Sequence, residues 1–293
     1  MKVLVTGSDG FIGKHVIRML RKRNIQRCGF GRHLQSGLRV YRGDITDLNA
    51  VRRAFQKEQP THCIHLAATG LYAKGSRQRN TKRVNVDGTR NVLEAIRSAS
   101  PRTKCLLVGS SAEYGLRRAT KGITERGRLR PLTLYARTKV DGYRLFRFYQ
   151  KQHGLRLVYA RPFNVTGPGA PAAHLISKII RAERTRRPLD FFQTSERRDY
   201  VDVRDLAEAF WRLLRHGRAG AVYNICSGNG VRKDHLVLQV QRTLHLRNVG
   251  GVPRVNAKPL LHQVGDNRKL RSLGWRPRYT LQDSIRDLAA TLR

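Results

Sequence analysis

Acidic residues are scarce in this sequence. The 293 residues include 20 Asp and Glu against 59 Lys and Arg, which gives a formal net charge of +39 at pH 7. Such a field attracts polyanions. The basic residues are nevertheless scattered over nearly every segment, without the aromatic-interleaved patch or recognition helix of a dedicated nucleic-acid binder. We therefore expect non-specific adhesion to nucleic acid at low salt and no sequence-specific nucleic-acid function.

Cysteine is also scarce, and long apolar runs are missing. Cys28, Cys63, Cys105 and Cys226 stand singly, without a CxxC pair or metal-ligand spacing. We therefore expect reduced core cysteines, no disulfide framework and no metal site. No apolar run approaches the roughly 18 residues that span a bilayer, and the N-terminus has the pattern of a core strand rather than of a signal peptide. These features predict a cytoplasmic protein with no membrane segment.

What the sequence does contain is an alternation of strand-like and helix-like segments. Apolar runs alternate with helical patterns as far as about residue 161, which is typical of a parallel sheet covered on both faces. The alternation of strand-like and helix-like segments ends after residue 165, where GPGAP interrupts it. The sequence predicts an α/β fold with a Rossmann-like doubly wound parallel sheet over 1–165. Residues 166–293 should form mostly a smaller C-terminal substrate lobe, from which about 190–226 returns to the main domain.

The first twenty residues, MKVLVTGSDGFIGKHVIRML, predict a strand, a glycine-rich turn and a helix. In that setting Gly7 permits the tight turn, Gly10 lets the backbone approach a pyrophosphate, and Gly13 allows the helix to pack closely on the strand. The helix N-terminus attracts the anion. The same spacing also occurs in ordinary glycine turns, but its position directly after an apolar strand favours dinucleotide binding.

Tyr135 and Lys139 lie four residues apart in LYARTK and should share one face of a helix. A free tyrosine titrates near pH ~10, so a neighbouring ammonium is needed to favour the phenolate and to make the phenol useful near neutrality. Ser110, in GSSAEYG, is the candidate hydroxyl that orients a substrate oxygen. A YxxxK pair alone also occurs on solvated helices, and the glycine-rich turn is what favours a catalytic site.

The motifs together resemble those of extended short-chain dehydrogenase/reductases of the NAD(P)-dependent sugar-nucleotide epimerase/dehydratase family. The matching stretches are TGSDGFIG, GDITD, HLAAT, VNVDGTRNVLEA, GSSAEYG, LYARTK, ARPFNVTGPGAP, RRDYVDVRD, YNICSG and VGDNRKLRSLGWRP. Two of them, RPFNVTGPG and VGDNRKL, are similar to the group that acts on GDP-linked mannose derivatives. Within that group the sequence is most similar to the reductases of GDP-6-deoxy-4-keto-mannose.

The resemblance implies roles for individual residues. It makes Ser110, Tyr135 and Lys139 the catalytic triad. It assigns the cofactor to Gly7, Gly10, Phe11, Ile12, Gly13, Asp44, Ile45, Leu66, Ala67, Ala68, Asn85, Tyr135, Lys139, Pro162 and Phe163. It assigns the substrate to Ser111, Asn164, Lys178 and Arg198.

Several of these residues also have a structural interpretation. Asp44 matches the carboxylate that contacts the adenine ring, but it could equally cap the helix that begins near Asp47. Leu66, Ala67 and Ala68 could simply pack in a strand, and Asn85 could be a mid-helix residue without a role. Asn164 could satisfy backbone groups at the chain break, and Lys178 could be a solvated helix residue. Arg198 matches a residue that grips the substrate diphosphate, where a planar fork suits paired phosphate oxygens.

The end of the second strand, RCGFGRH, bears on the choice of cofactor. A site specific for NAD(H) normally places Asp or Glu there, whereas the 2′-phosphate of NADP(H) calls for arginine. Gly31 and Arg32 occupy the position. We therefore expect NADP(H), with NAD(H) as the alternative if Arg32 is a bystander.

The expected reaction is NADPH-dependent reduction of the 4-keto group of a GDP-linked 6-deoxy sugar. Ala112 stands where dehydratases carry a glutamate two residues after the catalytic hydroxyl residue, which argues against water elimination. The alternatives are an NAD-dependent 4-epimerase, a GDP-mannose 4,6-dehydratase, and a cofactor-binding scaffold with a polyanion-binding surface. The resemblance also implies a homodimer, joined through helices near 80–99 and 133–152.

Overall fold

The structure is a computed structural model that describes residues 1–70, 80–118, 121–185, 196–246 and 261–292. The strands are β1 (Lys2–Thr6), β2 (Gln26–Gly31), β3 (Val40–Arg42), β4 (His62–His65), β5 (Lys104–Val108), β6 (Leu157–Pro162), β7 (Asn164–Thr166), β8 (Arg197–Asp202), β9 (Val222–Ile225), β10 (Gly230–Arg232) and β11 (His262–Gln263). The helices are α1 (Phe11–Lys22), α2 (Leu48–Glu58), α3 (Gly88–Ala99), α4 (Leu134–His153), α5 (Leu175–Thr185), α6 (Val203–His216), α7 (Lys233–Leu244), α8 (Arg268–Arg271) and α9 (Leu281–Thr291).

The larger sheet confirms the predicted doubly wound fold. Its seven strands follow the order β3-β2-β1-β4-β5-β6-β9. The five pairs from β3 to β6 are all parallel. The order reverses between β1 and β4, because the chain builds outward from β1 in one direction and then returns to build in the other. Such a switch point leaves a crevice at the carboxyl ends of the strands, where ligands bind in open α/β sheets.

Local sequence explains the first elements of this sheet. β1, with the letters KVLVT, is buried over its last four residues, as expected of a central strand covered on both faces. α1 turns Val16, Met19 and Leu20 inward at helical spacing. The core cluster continues through apolar residues of β2, α2, α3, β5, α4 and β6. The sheet is therefore held mainly by the burial of its apolar faces.

Side chains and glycines mark several helix ends. Asp47 caps α2, since its carboxylate accepts hydrogen bonds from the N–H groups of Asn49 and Ala50. The alternative interpretation of Asp44 as that cap is therefore wrong. Thr133 caps α4 by accepting from Ala136 N at 3.1 Å, and Gly154 ends the helix in the left-handed region with φ of 62°.

The structure divides the helix expected near 80–99. A π-helical segment at Arg83–Asp87 precedes α3, and wide turns of this kind are frequent at functional sites. The C-terminal helix α9 was not anticipated from the sequence, although its capping box is readable in TLQD. Thr280 Oγ1 accepts from Asp283 N, and the Asp283 carboxylate accepts from Thr280 N in return.

The chain forms two compact units. The first comprises Met1–Gly115, Leu129–Arg161 and Ala207–Tyr223, and the second comprises Leu116–Arg128, Pro162–Leu206 and Asn224–Arg293. The division expected from the sequence placed residues 116–128 and 162–165 in the first domain and returned about 190–226 to it, whereas 116–128 and 162–206 belong to the second unit and only 207–223 returns to the first. The roles of the two parts, cofactor and substrate, stay predictions.

The second unit contains a small sheet centred on β8. β10 pairs with β8 in antiparallel orientation, while β11 and β7 pair with it in parallel. α5, α7 and α9 belong to the same unit. β7, β10 and β11 have only two or three residues, which is below the length at which sequence periodicity is informative. None of the four strands, the six-residue β8 included, was assigned from the sequence.

All four cysteines are free and buried, as expected for core residues. Within the described ranges, we find no helix with the length and apolar character needed to cross a membrane.

Two helical glycines of the first unit give a matched stability test. A Cβ added to Gly13 would lie 2.2 Å from the Gly7 carbonyl oxygen, whereas one added to Gly142 would meet nothing within 4 Å. Gly13→Ala should therefore lower the free energy of unfolding by about 2–3 kcal/mol through overpacking. Gly142→Ala should raise it by about 1 kcal/mol through helix propensity. Urea denaturation checks both, and equal effects of the two substitutions would contradict the described packing of α1.

Candidate active site

The glycine-rich turn brings the ends of β1 and β4 and the start of α1 together. Gly7 has a φ of +66°, and a Cβ on it would lie 2.9 Å from Ala67 N. Gly13 packs directly on the Gly7 carbonyl, and Gly10 begins α1. No side chain in the described part of the molecule caps that helix. Close backbone approach beside a helix N-terminus without a side-chain cap fits the pyrophosphate of a dinucleotide.

Charges of both signs lie at the end of β2. Arg32 is exposed. Hydrogen bonds from the N–H and hydroxyl of Thr46, each 2.9 Å, lower the pKa of the Asp44 carboxyl, and the positive charge of Arg32 lowers it further. The Asp9 carboxylate, from the glycine-rich turn, lies 3.3 Å from the position of a Cβ on Gly31. Sequence reasoning considered only the residues that follow β2 and missed Asp9.

The end of β4 is fixed by a buried histidine. Thr6 Oγ1 lies 2.7 Å from His65 Nδ1, and His65 Nε2 lies 3.0 Å from Thr89 Oγ1. Thr6 Oγ1 also accepts from the N–H groups of Leu66 and Ala67 at 3.2 Å. Burial lowers the pKa of His65 to about 3, so the ring is neutral near neutral pH. The backbone that was expected to face the cofactor is therefore held by β1 and α3.

Four further residues expected at the cofactor lie beside these elements in the chain. Phe11 and Ile12 form the first turn of α1, Ile45 is buried directly after Asp44, and Ala68 is exposed after Ala67.

Asn85 is a buried clamp rather than a mid-helix residue without a role. Its Oδ1 accepts from Thr69 N at 2.8 Å, and its Nδ2 lies 2.9 Å from both Thr69 O and Thr138 Oγ1. Thr138 in turn donates to the carbonyl of Tyr135 at 2.8 Å. Asn85 therefore ties the segment after β4 to the turn of α4 that carries Tyr135.

Two of the predicted catalytic residues, Ser110 and Lys139, lie at the carboxyl end of β5, and the third, Tyr135, lies beside Lys139. Lys139 Nζ donates to Val108 O at 3.0 Å and lies 5.7 Å from the centroid of the Tyr135 ring. Burial lowers the pKa of Lys139 to about 8. Ser110 follows β5, and its Oγ accepts from Ala112 N at 3.1 Å. A partly buried cation beside the phenol is the arrangement that favours the phenolate form of Tyr135.

Glu113 lies in a 3₁₀ turn, Ser111–Tyr114. Its carboxylate is fully buried and forms an ion pair with Arg161 at 2.7 Å. Ser111, expected to contact substrate, is itself 4% exposed. Neither Glu113 nor Arg161 was singled out as a functional residue from the sequence.

The remaining predicted site residues, of which Pro162 and Phe163 were assigned to the cofactor and Asn164, Lys178 and Arg198 to the substrate, belong to the second unit. Pro162 ends β6, and Phe163 is buried and donates its N–H to Ile225 O at 2.9 Å. Asn164 Nδ2 donates to Asp199 O at 2.9 Å. The backbone-satisfying interpretation of Asn164 is therefore supported for its amide nitrogen. Lys178 lies on α5 with an exposed side chain.

Arg198, in β8, already has a carboxylate partner. Its Nε and Nη2 lie 3.1 and 2.8 Å from Glu196 Oε2, and its Nη1 donates to Gln263 Oε1 at 2.6 Å. The guanidinium is 27% exposed. The planar fork is therefore oriented by two neighbours, and an arriving phosphate would compete with the carboxylate of Glu196.

Asp199 organises the loops around β8 and was missed by sequence reasoning. Its Oδ1 accepts from Ser227 N and Oγ, at 2.8 and 2.7 Å, and its Oδ2 accepts from Gly228 N and Gly265 N. Burial raises the pKa of Asp199 to about 6, and these hydrogen bonds oppose the rise. Its neighbour Arg198 therefore stands on a strand whose surrounding loops are fixed by one carboxylate.

A cavity of about 570 Å³ also lies in the second unit, lined by His235, Leu238, Gln239, Arg242, Thr243 and Gln282. None of the predicted site residues lines it. Its residues lie on α7 and at the start of α9, and the chemistry described above depends on none of them.

Comparison with known proteins gives a family match over most of the chain. The model of the NAD dependent epimerase/dehydratase family matches residues 3–226. The chain is 29% identical over 299 residues to GDP-6-deoxy-D-mannose reductase of Pseudomonas aeruginosa, which covers 97% of this chain and 95% of the relative.

Two solved structures are similar over the whole length. The UDP-glucose 4-epimerase of Thermus thermophilus in complex with NAD superimposes with a TM-score of 0.88 at 27% identity, covering 100% of this chain and 99% of the other. RMD from Pseudomonas aeruginosa complexed with NADPH superimposes with a TM-score of 0.83 at 27% identity, with the same coverage.

Proposed function

We propose that this chain, which belongs to the NAD dependent epimerase/dehydratase family, reduces the 4-keto group of a nucleotide-linked 6-deoxy sugar, with GDP-4-keto-6-deoxymannose as substrate and a GDP-rhamnose type product. The observation that carries the proposal is the grouping of Ser110, Tyr135 and Lys139 at the carboxyl end of β5. Similarity to a GDP-6-deoxy-D-mannose reductase supports the choice of substrate. Ala112 supports reduction over dehydration, since it supplies no base.

Ser110, Tyr135 and Lys139 have separate roles in the proposed carbonyl reduction. When bound, the nicotinamide cofactor supplies the hydride that adds to C4. Tyr135 donates its phenolic proton to O4 as negative charge develops there. Ser110 donates a hydrogen bond to the same oxygen, which stabilises the charge in a site with little water. Lys139 remains an ammonium beside Tyr135, so it stabilises the phenolate that is left.

NADP(H) is the proposed cofactor. Arg32 offers an exposed guanidinium at the end of β2, where a 2′-phosphate is recognised in this fold. A structural neighbour that was solved with NADPH supports this choice. Gly7, Gly10 and Gly13 hold the pyrophosphate, and Asp44 contacts the adenine.

Four residues are the proposed substrate contacts, namely Ser111, Asn164, Lys178 and Arg198. Arg198 takes the diphosphate, in exchange for its contact with Glu196, and Lys178 adds a second positive charge. Asn164 and Ser111 contact the sugar. The fixed orientation of the Arg198 fork supports this role, because little rotamer freedom is lost when a phosphate replaces the carboxylate.

One observation favours a second function. The Asp9 carboxylate beside Gly31 can accept hydrogen bonds from a ribose 2′-hydroxyl and repels a 2′-phosphate, which suits NAD(H). An NAD-dependent 4-epimerase uses the same serine, tyrosine and lysine, and a 4-epimerase is among the similar structures. The charge balance between Arg32 and Asp9 therefore separates the two functions.

The proposed assembly is a homodimer through the face of α3 and α4, in the cytoplasm. Three arginines of this face are paired with acids three residues earlier in the chain, each at 2.9 Å: Arg90 with Asp87, Arg97 with Glu94, and Arg144 with Asp141. These pairs reduce repulsion between two copies. Phe148 on α4 is 53% exposed and supplies apolar surface. We expect adhesion to nucleic acid to be weak, non-specific and lost as the salt concentration rises. The presence of Ser110, Tyr135 and Lys139 together argues against a cofactor-binding scaffold without catalytic activity.

Removal of the Tyr135 hydroxyl tests the triad. Tyr135→Phe preserves shape but removes the proton donor, so kcat should fall by about 10²-fold or more, with little change in cofactor affinity. Tyr149→Phe is the matched control, since Tyr149 lies on the same helix and donates to Glu94. It should leave kcat unchanged. Steady-state oxidation of NADPH measures both, and near-normal turnover of Tyr135→Phe excludes the proposed donor.

Opposite changes of charge at the end of β2 test the cofactor assignment. The parent should prefer NADPH, Arg32→Asp should reduce or reverse the preference, and Asp9→Asn should increase it. Arg53→Asp makes the same charge change on the exposed side of α2 and should not alter the ratio. Dissociation constants for NADPH and NADH, measured by calorimetry, give the ratio directly. Equal or tighter binding of NADH to the parent protein would support the epimerase instead.

Two substrates separate reductase from dehydratase. With GDP-4-keto-6-deoxymannose the protein should oxidise NADPH stoichiometrically and form a GDP-6-deoxyhexose. With GDP-mannose and NADP⁺ it should form no 4-keto-6-deoxy sugar, because Ala112 supplies no base for the C5 proton that must leave before the C6 hydroxyl is eliminated. Mass spectrometry of the nucleotide sugars resolves these products, and accumulation of the 4-keto-6-deoxy sugar from GDP-mannose would show that a carboxylate enters from elsewhere.

A further inference from the structure

A buried ion pair joins Glu113, three residues after Ser110, to Arg161 in β6. Glu113 is 0% and Arg161 1% exposed, and Arg161 Nε lies 2.7 Å from Glu113 Oε2. Arg161 Nη1 donates to Tyr114 OH at 3.0 Å. The rings of Tyr114 and Tyr143 lie 4.8 and 4.6 Å from the guanidinium carbon. The cation is therefore held by a carboxylate, a hydroxyl and two aromatic faces.

The second oxygen of the same carboxylate contacts Ser110 directly and Lys139 only through Tyr159. Glu113 Oε1 accepts from the N–H of Ser110 at 2.9 Å. It also accepts from the hydroxyl of Tyr159 at 2.9 Å, and that hydroxyl lies 3.1 Å from the carbonyl of Lys139. One carboxylate oxygen thus links the strand end that carries Ser110 to the helical turn that carries Lys139.

Gly109 shows how closely this linkage is packed. A Cβ on Gly109 would lie 2.2 Å from Glu113 Oε1 and 2.4 Å from Tyr159 OH. The φ of Gly109 is not in the left-handed region, so the backbone conformation does not require glycine. The space is needed by the carboxylate and the hydroxyl.

The charge of Glu113 matters to Lys139 as well. Burial lowers the pKa of Lys139, and the negative charge of Glu113 opposes that fall. The titratable groups that act on the ammonium are Tyr135 on its own helix, neutral His65 from β4, and Glu113, while the Tyr159 hydroxyl from β6 contacts the backbone carbonyl of Lys139. Burial raises the pKa of Glu113, but three donors, one of them the Arg161 guanidinium, stabilise its ionised form.

We propose that Glu113 is a positioning residue, which holds Ser110 directly and Lys139 through Tyr159, and whose negative charge keeps Lys139 an ammonium. This role rests on the proposed function for its catalytic consequence. The hydrogen bonds and the charge belong to the folded protein and can be measured without turnover.

Glu113→Gln separates charge from shape. The amide is similar in size and retains an oxygen acceptor, but it loses the charge. The midpoint for deprotonation of Lys139 should move down by about one pH unit, the size of effect that a close opposite charge has. Because the ammonium is then lost at lower pH, a midpoint that moves from about 8 to about 7 should lower kcat by about 2-fold at pH 7 and by close to 10-fold at about pH 9. The alkaline limb of the kcat profile should shift to lower pH by the same amount.

Glu58→Gln is the matched control. Glu58 is also buried, accepts from the hydroxyl of Tyr41 and pairs with Lys2 and Arg39, but it does so at the end of α2. It should affect stability in a similar way and leave the Lys139 midpoint unchanged. Tyr159→Phe is a second variant that keeps the charge and removes the hydroxyl link. It should lower kcat several-fold without moving the Lys139 midpoint.

The decisive measurement is an NMR titration of ¹⁵N-labelled lysine side chains, with Lys139 assigned by the loss of its signal in Lys139→Arg. A lower midpoint in Glu113→Gln alone supports the proposal, and an unchanged midpoint overturns its electrostatic part. Equal kcat values for Glu113→Gln and Glu58→Gln, corrected for folded fraction, or full kcat in Tyr159→Phe, overturn the positioning role. If no nucleotide sugar turns over in the parent protein, the proposed function fails while the titration still decides the charge effect.

Discussion

The alignment of parallel strands is the constraint on which the rest of this molecule depends. Five parallel pairs place every carboxyl end from β3 to β6 at one edge of the sheet, and the reversal of order between β1 and β4 opens a crevice there. Gly7 follows β1, Ala67 follows β4, and Ser110 follows β5. Residues about a hundred positions apart in the chain are thus brought together by the sheet, and helices α1 and α4 then supply a helix N-terminus and the Tyr135–Lys139 pair.

The features that could be read from the sequence are those encoded locally. β1, the glycine-rich turn and α1 lie in twenty consecutive residues, and Tyr135 and Lys139 are four apart, so spacing alone indicates their geometry. The resemblance to the epimerase/dehydratase family, which rested on such motifs, is confirmed. The fold class is confirmed with it.

The features that could not be read are those that join distant segments. Glu113 and Arg161 are 48 positions apart. In the sequence alone Glu113 resembles an exposed turn residue, because its partner Arg161 becomes apparent only once β6 is placed beside β5. Asp9 reaches the end of β2 only because the turn folds over that strand. The short strands β7, β10 and β11 have too few residues to show a period, and they form because β8 offers them free edges.

The scarce acidic residues are concentrated inside the molecule. In the described part of the chain six of them are buried, namely Glu58, Glu113, Glu183, Asp199, Asp202 and Asp205, whereas only two lysines and arginines are, Lys104 and Arg161. The solvent-facing surface is therefore even poorer in negative charge than the composition suggests.

The glycine at position 109 restricts which residues can stand at the positions around it. Since the carboxylate of Glu113 and the hydroxyl of Tyr159 fill the space that a side chain at position 109 would need, a larger residue there is tolerable only if both partners shrink. The residues at positions 109, 113 and 159 should therefore covary among homologous sequences.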